Sequence, residues 1–313
     1  MKVGILEWRD YPFIQDVIRK LGDLEVEFFS AADQELPPKK KYGVIVDRLS
    51  FQDQFLRQSM MLASLGGVYV INNPFATSVN NKMLHHLIID SLGVKQPKTI
   101  FLPKIEGVIE ELSDFIKEPD MKELKKSINL PCILKPFDGY AWENVYTVTT
   151  FSELENLYNS MKGSKMLLLQ EKIEYTDYFR VFCINKKDVL VTKWVPKPLG
   201  LGQYMVPEKG VMEKHGERIR DITIRLNRII DFDFNAVEWC IDEDGELFII
   251  EAMNDVPDVD KRFMPNDCYW WLVDKFCDCI REKAREGTKN NMSPFANENP
   301  KKENGEIRKN GKN

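Results

Sequence analysis

The 313-residue chain has few histidines, no clustered cysteines, no long apolar run and no surplus of positive charge, and each shortage removes a class of function. Of the three histidines, His85, His86 and His215, none lies beside a candidate nucleophile, so histidine-dependent hydrolysis has no support. The six cysteines (Cys132, Cys183, Cys240, Cys268, Cys277, Cys279) are scattered and match no zinc spacing, so they read as small buried hydrophobes. No apolar run reaches membrane-spanning length, and the opening MKVGILEWRD brings in charge after a few apolar residues, which predicts a cytoplasmic protein. The 44 basic residues against 49 acidic ones are spread throughout, so no basic face for nucleic acid is expected. Any anionic substrate must be met locally.

What is present is ample apolar material, 43% of residues, in a chain long enough for two or three packed units. Strand and helix patterns alternate at first: strands over 3–7, 26–29, 43–47 and 68–71, helices over 13–21 and 52–65. Such alternation predicts a parallel sheet covered by helices. Arg48, just past a strand end, reads either as an anion anchor or as an ordinary surface charge. A helix follows over 79–92 with Lys82 in its first turn, where the dipole disfavours a cation. That lysine is either solvated or held for an anion. Two strands, 131–135 and 145–150, flank a loop over 136–144 whose backbone N–H groups could cradle phosphate, although it contains only one glycine. Lys135 ends the first of these strands. The stretch 106–126 reads as helical, and Ser152 with Glu155 reads as a capping box for a helix to about residue 162. Strands over 166–170, 178–184 and 189–195 and helices over 213–230 and 270–285 complete the pattern. Beyond Glu286 the chain is rich in Asn, Lys and Glu with one aromatic, Phe295, which predicts a disordered tail.

The stretch 232–260, FDFNAVEWCIDEDGELFIIEAMNDVPDVD, reads as a hairpin. Asp244-Gly245 suits a two-residue type I′ loop. Symmetric pairing then sets Cys240 opposite Ile249 and Glu238 opposite Glu251 on one face, with Val237, Trp239, Ile241, Phe248 and Ile250 on the other. Directly opposed acids, roughly 4.5–5.5 Å apart at Cβ, destabilise a hairpin unless a cation lies between them or both end in water. With the amide oxygen of Asn254 they form a hard oxygen set suited to Mg²⁺.

Taken together, VINNPFATSVNNK (70–82), LGVKQPKT (92–99), LKPFDGYAWENV (134–145), LLLQEKIEYTDYFRV (167–181) and the hairpin, in this order and spacing, make the chain resemble the ATP-grasp superfamily. The resemblance runs over about 45–275 and is to the branch near glutathione synthetase and the ribosomal-protein glutamate ligases. It implies an α/β and α+β architecture. A parallel α/β pre-ATP-grasp domain (1–77) would precede an ATP-grasp domain (78–286) with antiparallel sheets, followed by the tail (287–313). The ATP-grasp domain would divide into a phosphate-loop subdomain over about 95–168 and a metal-binding subdomain over about 169–286.

The resemblance also implies roles. Lys82 and Lys135 would contact nucleotide phosphates, Gln170, Glu171, Lys172 and Ile173 would form the adenine-binding hinge, and Asp177 would take the ribose hydroxyls. Ile249 would floor the adenine pocket, and Trp142 lies in the phosphate loop. Arg180 and Lys135 would serve the transferred phosphoryl group, and Glu238, Glu251 and Asn254 would hold the metal. The sequence departs from the family at three places. Tyr140 and Ala141 replace loop glycines, Glu251 and Asn254 are three apart where two is usual, and Pro257-Asp258 replaces Pro-Gly. The implied cofactors are ATP and Mg²⁺, with Mn²⁺ as a substitute. The implied activity is ATP-dependent carboxylate–amine (or thiol) ligation through an acyl phosphate, with a hydroxyl kinase or a non-catalytic nucleotide-binding protein as alternatives. Small-molecule or peptide carboxylates and amines would be the substrates, without nucleic acid or membrane. Self-association is left open.

Overall fold

Strands β1 (Lys2–Leu6), β2 (Glu25–Phe28), β3 (Val44–Asp47) and β4 (Tyr69–Ile71) pair in parallel in the order β2-β1-β3-β4. β3 is buried along its whole length, as a parallel strand covered on both faces should be. Helices α1 (Pro12–Lys20), opened by a proline at its first turn, and α2 (Gln54–Leu65), capped by Asp53, supply the crossovers. The computed structural model describes residues 2–31, 41–105, 112, 114–138, 143–195, 197 and 203–286. The expected tail and part of the expected phosphate loop (139–142, including Trp142, Tyr140 and Ala141) lie outside the described residues.

After the short α3 (Pro74–Ser78) comes α4 (Lys82–Ser91), whose N-cap Asn81 accepts from the Leu84 amide at 3.0 Å. A second sheet contains β5 (Thr99–Leu102), β6 (Cys132–Pro136), β7 (Tyr146–Val148) and β8 (Leu167–Glu171) in antiparallel order β5-β8-β6-β7. Helices α5 (Met121–Ser127) and α6 (Phe151–Met161) close its core through Leu124, Leu154 and Tyr158. Two local expectations shift here. The cap of α6 is Thr150 with Glu153, where Thr150 Oγ1 accepts from the Glu153 amide at 3.1 Å and Glu153 accepts from the Thr149 amide at 2.8 Å. Residues 114–120 are turn and coil, because Pro119 disfavours helix before it and Asp120 caps α5 by accepting from the Lys122 amide at 2.8 Å.

The third sheet runs β11-β10-β9-β12-β13, with β9 (Tyr175–Ile184), β10 (Asp188–Val195), β11 (Gln203–Met205), β12 (Phe234–Asp242) and β13 (Leu247–Glu251). Its two faces follow the strand period of two. Phe179, Val181, Val237 and Trp239 pack against Ile219, Ile222 and Leu226 of α7 (Lys209–Ile230). Phe182 and Phe234 pack instead with α8 (Asn266–Glu286). The other side of α8 covers the parallel sheet, with Phe276 4.8 Å from Phe234 and 5.9 Å from Phe13 between ring centroids. Among the described residues no helix is long and apolar enough to cross a membrane.

The hairpin differs from the expected register. Gly245 alone takes the left-handed conformation (φ 79°), its amide bonds to Asp242 O, and Asp242 donates to Glu246 O. The connection is therefore one residue longer than a two-residue type I′ loop, with Gly245 where a three-residue loop needs positive φ. Trp239 then pairs with Ile249 and Cys240 with Phe248. A bulge at Glu238/Trp239 restores Glu238 opposite Glu251. Because Ile250 is the extra residue, Ile249 falls on the Trp239 side and Ile250 on the side of the acids. The expected adenine floor at Ile249 is thus corrected: Ile249 is fully buried in the α7 core, and Ile250 lines the cleft.

Candidate active site

A cleft of about 850 Å³ opens between the second and third sheets. Lys82, Lys135, Gln170, Glu171, Lys172, Ile173, Arg180, Glu238, Glu251 and Asn254 all line it. Asp177 does not. It pairs across the strands with Ile241 and accepts from Lys193 at 2.7 Å, on the face turned toward α7 and away from the cleft, because Tyr178, the next residue, faces the cleft. The expected ribose contact at Asp177 is therefore corrected.

The two lysines arrive from different elements. Lys135, on β6, donates to Gln170 Oε1 at 2.9 Å, and Gln170 in turn donates to Thr99 at 2.9 Å, so the hinge side chain is fixed between two strands. The Glu171 amide donates to Lys98 O at 2.8 Å and continues the pairing up to the hinge. Lys82 sits at the start of α4 with its ammonium 2.6 Å from Glu251 Oε1.

Glu238 accepts from the Tyr178 hydroxyl at 2.6 Å. Burial raises the Glu238 carboxyl above its usual range, against the pull of nearby Arg180. Burial also pushes Glu251 up, but Lys82, Lys135 and His85 more than reverse this and bring it to about 2. The bulge thus places two acids opposite each other with unlike partners, a tyrosine hydroxyl on Glu238 and an ammonium on Glu251.

Arg180, on β9, is 8% exposed. It lies over the Trp194 ring at 4.8 Å and donates to the Tyr204 hydroxyl at 3.1 Å. The Asn254 amide satisfies both of its ends only with its oxygen toward the same guanidinium and its nitrogen donating to Val256 O at 3.2 Å. The Arg180 Nε and Trp194 Nε1 donors are buried without a partner among the described residues, which leaves unused N–H groups beside the cleft. Asn235 fixes the segment beyond β13. It accepts from the Asn254 amide at 2.7 Å and donates to Ala252 O at 3.0 Å.

Contacts from the parallel sheet hold the base of the hairpin. Asn72 Oδ1 accepts from the Asp233 and Phe234 amides at 2.7 Å each, and Asn72 Nδ2 donates to Phe234 O at 2.7 Å and Asp255 O at 3.0 Å. Tyr69 donates to Asp233 at 2.6 Å. Arg48 is a structural ion, neither an anchor for ligand nor a surface charge: it is 3% exposed, 2.8 Å from Glu7 and 2.8 Å from Pro257 O. Sequence reasoning missed Tyr178, Trp194 and Tyr204, whose aromatic alternation along their strands looks like ordinary core, and Ile250, whose side depends on the bulge.

Among the described residues no group of three His, Cys, Asp or Glu is placed to hold a metal. The donor set is two carboxylates and an amide, all hard oxygens facing one cleft. This suits Mg²⁺ with remaining positions open to water or phosphate.

No protein-family model matches the sequence, and no curated protein does. Solved structures do match in shape. The D-alanine–D-alanine ligase of Bacillus anthracis, complexed with ATP, superposes with a TM-score of 0.66 at 15% identity, covering 91% of this chain and 98% of that one. A RiPP-associated ATP-grasp ligase of Chryseobacterium gregarium, in complex with ADP and a leader and core peptide, gives 0.61 at 15% identity, covering 90% and 97%. The macrocyclase MdnC of Microcystis aeruginosa MRC, bound with precursor peptide MdnA, gives 0.60 at 14% identity, covering 90% and 100%. With this likeness extending over at least 90% of the chain, the chain has the ATP-grasp fold.

Proposed function

We propose that the protein is an ATP-dependent carboxylate–amine ligase of the branch near glutathione synthetase and the ribosomal-protein glutamate ligases. The observation that carries this reading is the convergence of Lys82, Lys135, Arg180 and the opposed Glu238 and Glu251 in one cleft beside a strand hinge. The adenine lies against the 170–173 hinge with Ile250 beneath it, and the phosphates run toward Lys135 and Lys82. Glu238, Glu251 and Asn254 would hold Mg²⁺, which supplies charge neutralisation at the transferring phosphoryl group.

A substrate carboxylate held near Arg180 attacks the terminal phosphorus, the bond to the ADP oxygen breaks, and an acyl phosphate results. An amine then attacks the carbonyl, phosphate leaves with its electron pair, and one proton passes to solvent. The chain's own task is to place donors where charge develops, with no acid–base residue forced by the chemistry. Buried, unused N–H groups on Arg180 and Trp194 suit an oxygen-rich reacting group. The substrates are small or peptidic. Peptides accompany several of the similar enzymes, and the protein works in the cytoplasm.

The first test is thermal. MgATP at millimolar concentration should raise Tm by mass action, by about 2–4 kcal/mol of added stability at saturating ligand, and ATP with chelator should do much less. Absence of any shift with MgATP or MgADP would remove the reading. Hydroxylamine should then trap the acyl phosphate as a hydroxamate in the presence of an accepted carboxylate. ADP release without hydroxamate would favour phosphorylation of a hydroxyl.

A further inference from the structure

Lys82 opens α4, where the helix dipole disfavours a cation, and its side chain is largely buried. Both costs need a return. The ammonium lies 2.6 Å from Glu251 Oε1, on the carboxylate that pairs across the strands with Glu238. Lys135, by contrast, donates its hydrogen bond to Gln170 Oε1.

An ammonium hydrogen-bonded to that oxygen occupies the space a divalent ion would need, since Mg²⁺ binds carboxylate oxygen at about 2.0–2.1 Å. Three basic side chains, Lys82, Lys135 and Arg180, already face the two acids. A bare divalent cation would have to displace the Lys82 ammonium from Glu251, whereas a nucleotide polyphosphate brings enough negative charge to hold the metal and the lysines together.

We infer that Lys82 keeps the cation's place at the acid pair, so a divalent ion enters only with a polyphosphate that draws the ammonium off Glu251. The inference rests on the nucleotide reading above and adds an order of binding to it. Lys82 becomes a two-position residue, bonded to acid in one and to phosphate in the other.

The test uses Mn²⁺ alone, titrated into the full chain without nucleotide, with bound ion read from loss of the free-ion paramagnetic resonance signal. The wild type should bind Mn²⁺ weakly. Lys82→Met should bind it at least about tenfold more tightly, a change of about 1.4 kcal/mol. Glu251→Gln in that background should abolish the gain, and Lys82→Arg, which keeps the charge, should behave as the wild type. Circular dichroism verifies folding, and Lys82→Gln replaces the methionine variant if that one does not fold. Wild type binding Mn²⁺ as tightly as Lys82→Met, or no gain in either neutral variant, overturns the inference. Failure of the nucleotide reading would show separately, as a missing MgATP shift in wild-type melting.

Discussion

At the scale of single residues, burial decides more than residue type. His85 is 6% exposed and hydrogen-bonds through Nε2 to Asn80 Oδ1 at 2.8 Å. Burial first, and Lys82, His86 and Lys135 after it, bring its pKa to about 3 against the favourable charge of Glu251. Burial likewise lowers His86, held by Gln96, and His215. His85 is neutral in the fold and free to take a proton in the unfolded chain below its ordinary value of 6.5. Its contribution to stability is therefore complete above pH 6.5 and is lost as pH falls toward about 3. Tm should decline through that window, and His85→Gln should flatten the decline. Parallel pH profiles for wild type and variant would show that His85 is not the group responsible. Asn72 is the other instructive residue, since one buried amide with both ends used ties the parallel sheet to the base of the acid hairpin.

At the scale of elements, the hairpin is the informative case. Opposed like charges at Glu238 and Glu251 were readable from alternation alone, but the path to them was not. A longer turn shifts the register by one, and a bulge shifts it back, so the pair of acids survives while Ile249 and Ile250 exchange faces. The two acids also have opposite energetic signs. Glu238 bears its charge at a cost, because burial outweighs Arg180, whereas Glu251 gains from Lys82. Glu238→Gln should therefore raise Tm at neutral pH, by a stability increment of about 1 kcal/mol, since glutamine can still accept from Tyr178. Glu251→Gln should lower it, because Lys82 loses its partner. Both should remove most of the MgATP shift. Equal effects on the ligand-free melting of the two variants would refute the assignment of unlike environments.

At the scale of the molecule, the parallel sheet and the five-stranded sheet share one core among the described residues. α8 lies between the parallel sheet and the five-stranded sheet, so Val3, Phe13, Phe182, Phe234 and Phe276 belong to a single cluster. The sheet of β5 to β8 has its own cluster around Leu134, Leu154, Tyr158 and Leu167. Cooperative units follow contiguous cores. In hydrogen exchange, amides of β5, β6, β7 and β8 should therefore exchange as one group, earlier than those of β3, β9 and β12. MgATP should slow that group, because the cleft lies between it and the acid hairpin. Exchange of all three sheets in step, with or without nucleotide, would contradict this division.

The sequence by itself determined what depends on local periodicity and chemistry. It specified the alternation that builds a parallel sheet, the antiparallel strands, the lysine at the start of a helix, and two acids facing each other across a hairpin. Tertiary structure decided whatever depends on which face of a strand meets which neighbour. Asp177 turns toward α7 and its partner Lys193 because β9 is central and covered on both sides. Arg48 becomes an internal ion because Glu7 and the Pro257 carbonyl close over it. Lys82 reaches Glu251 only because α4 is packed beside the third sheet, bringing together residues 169 positions apart in the chain. A period of two gives alternate faces but not their environment. That environment comes from the elements packed against each face, and long-range packing sets it.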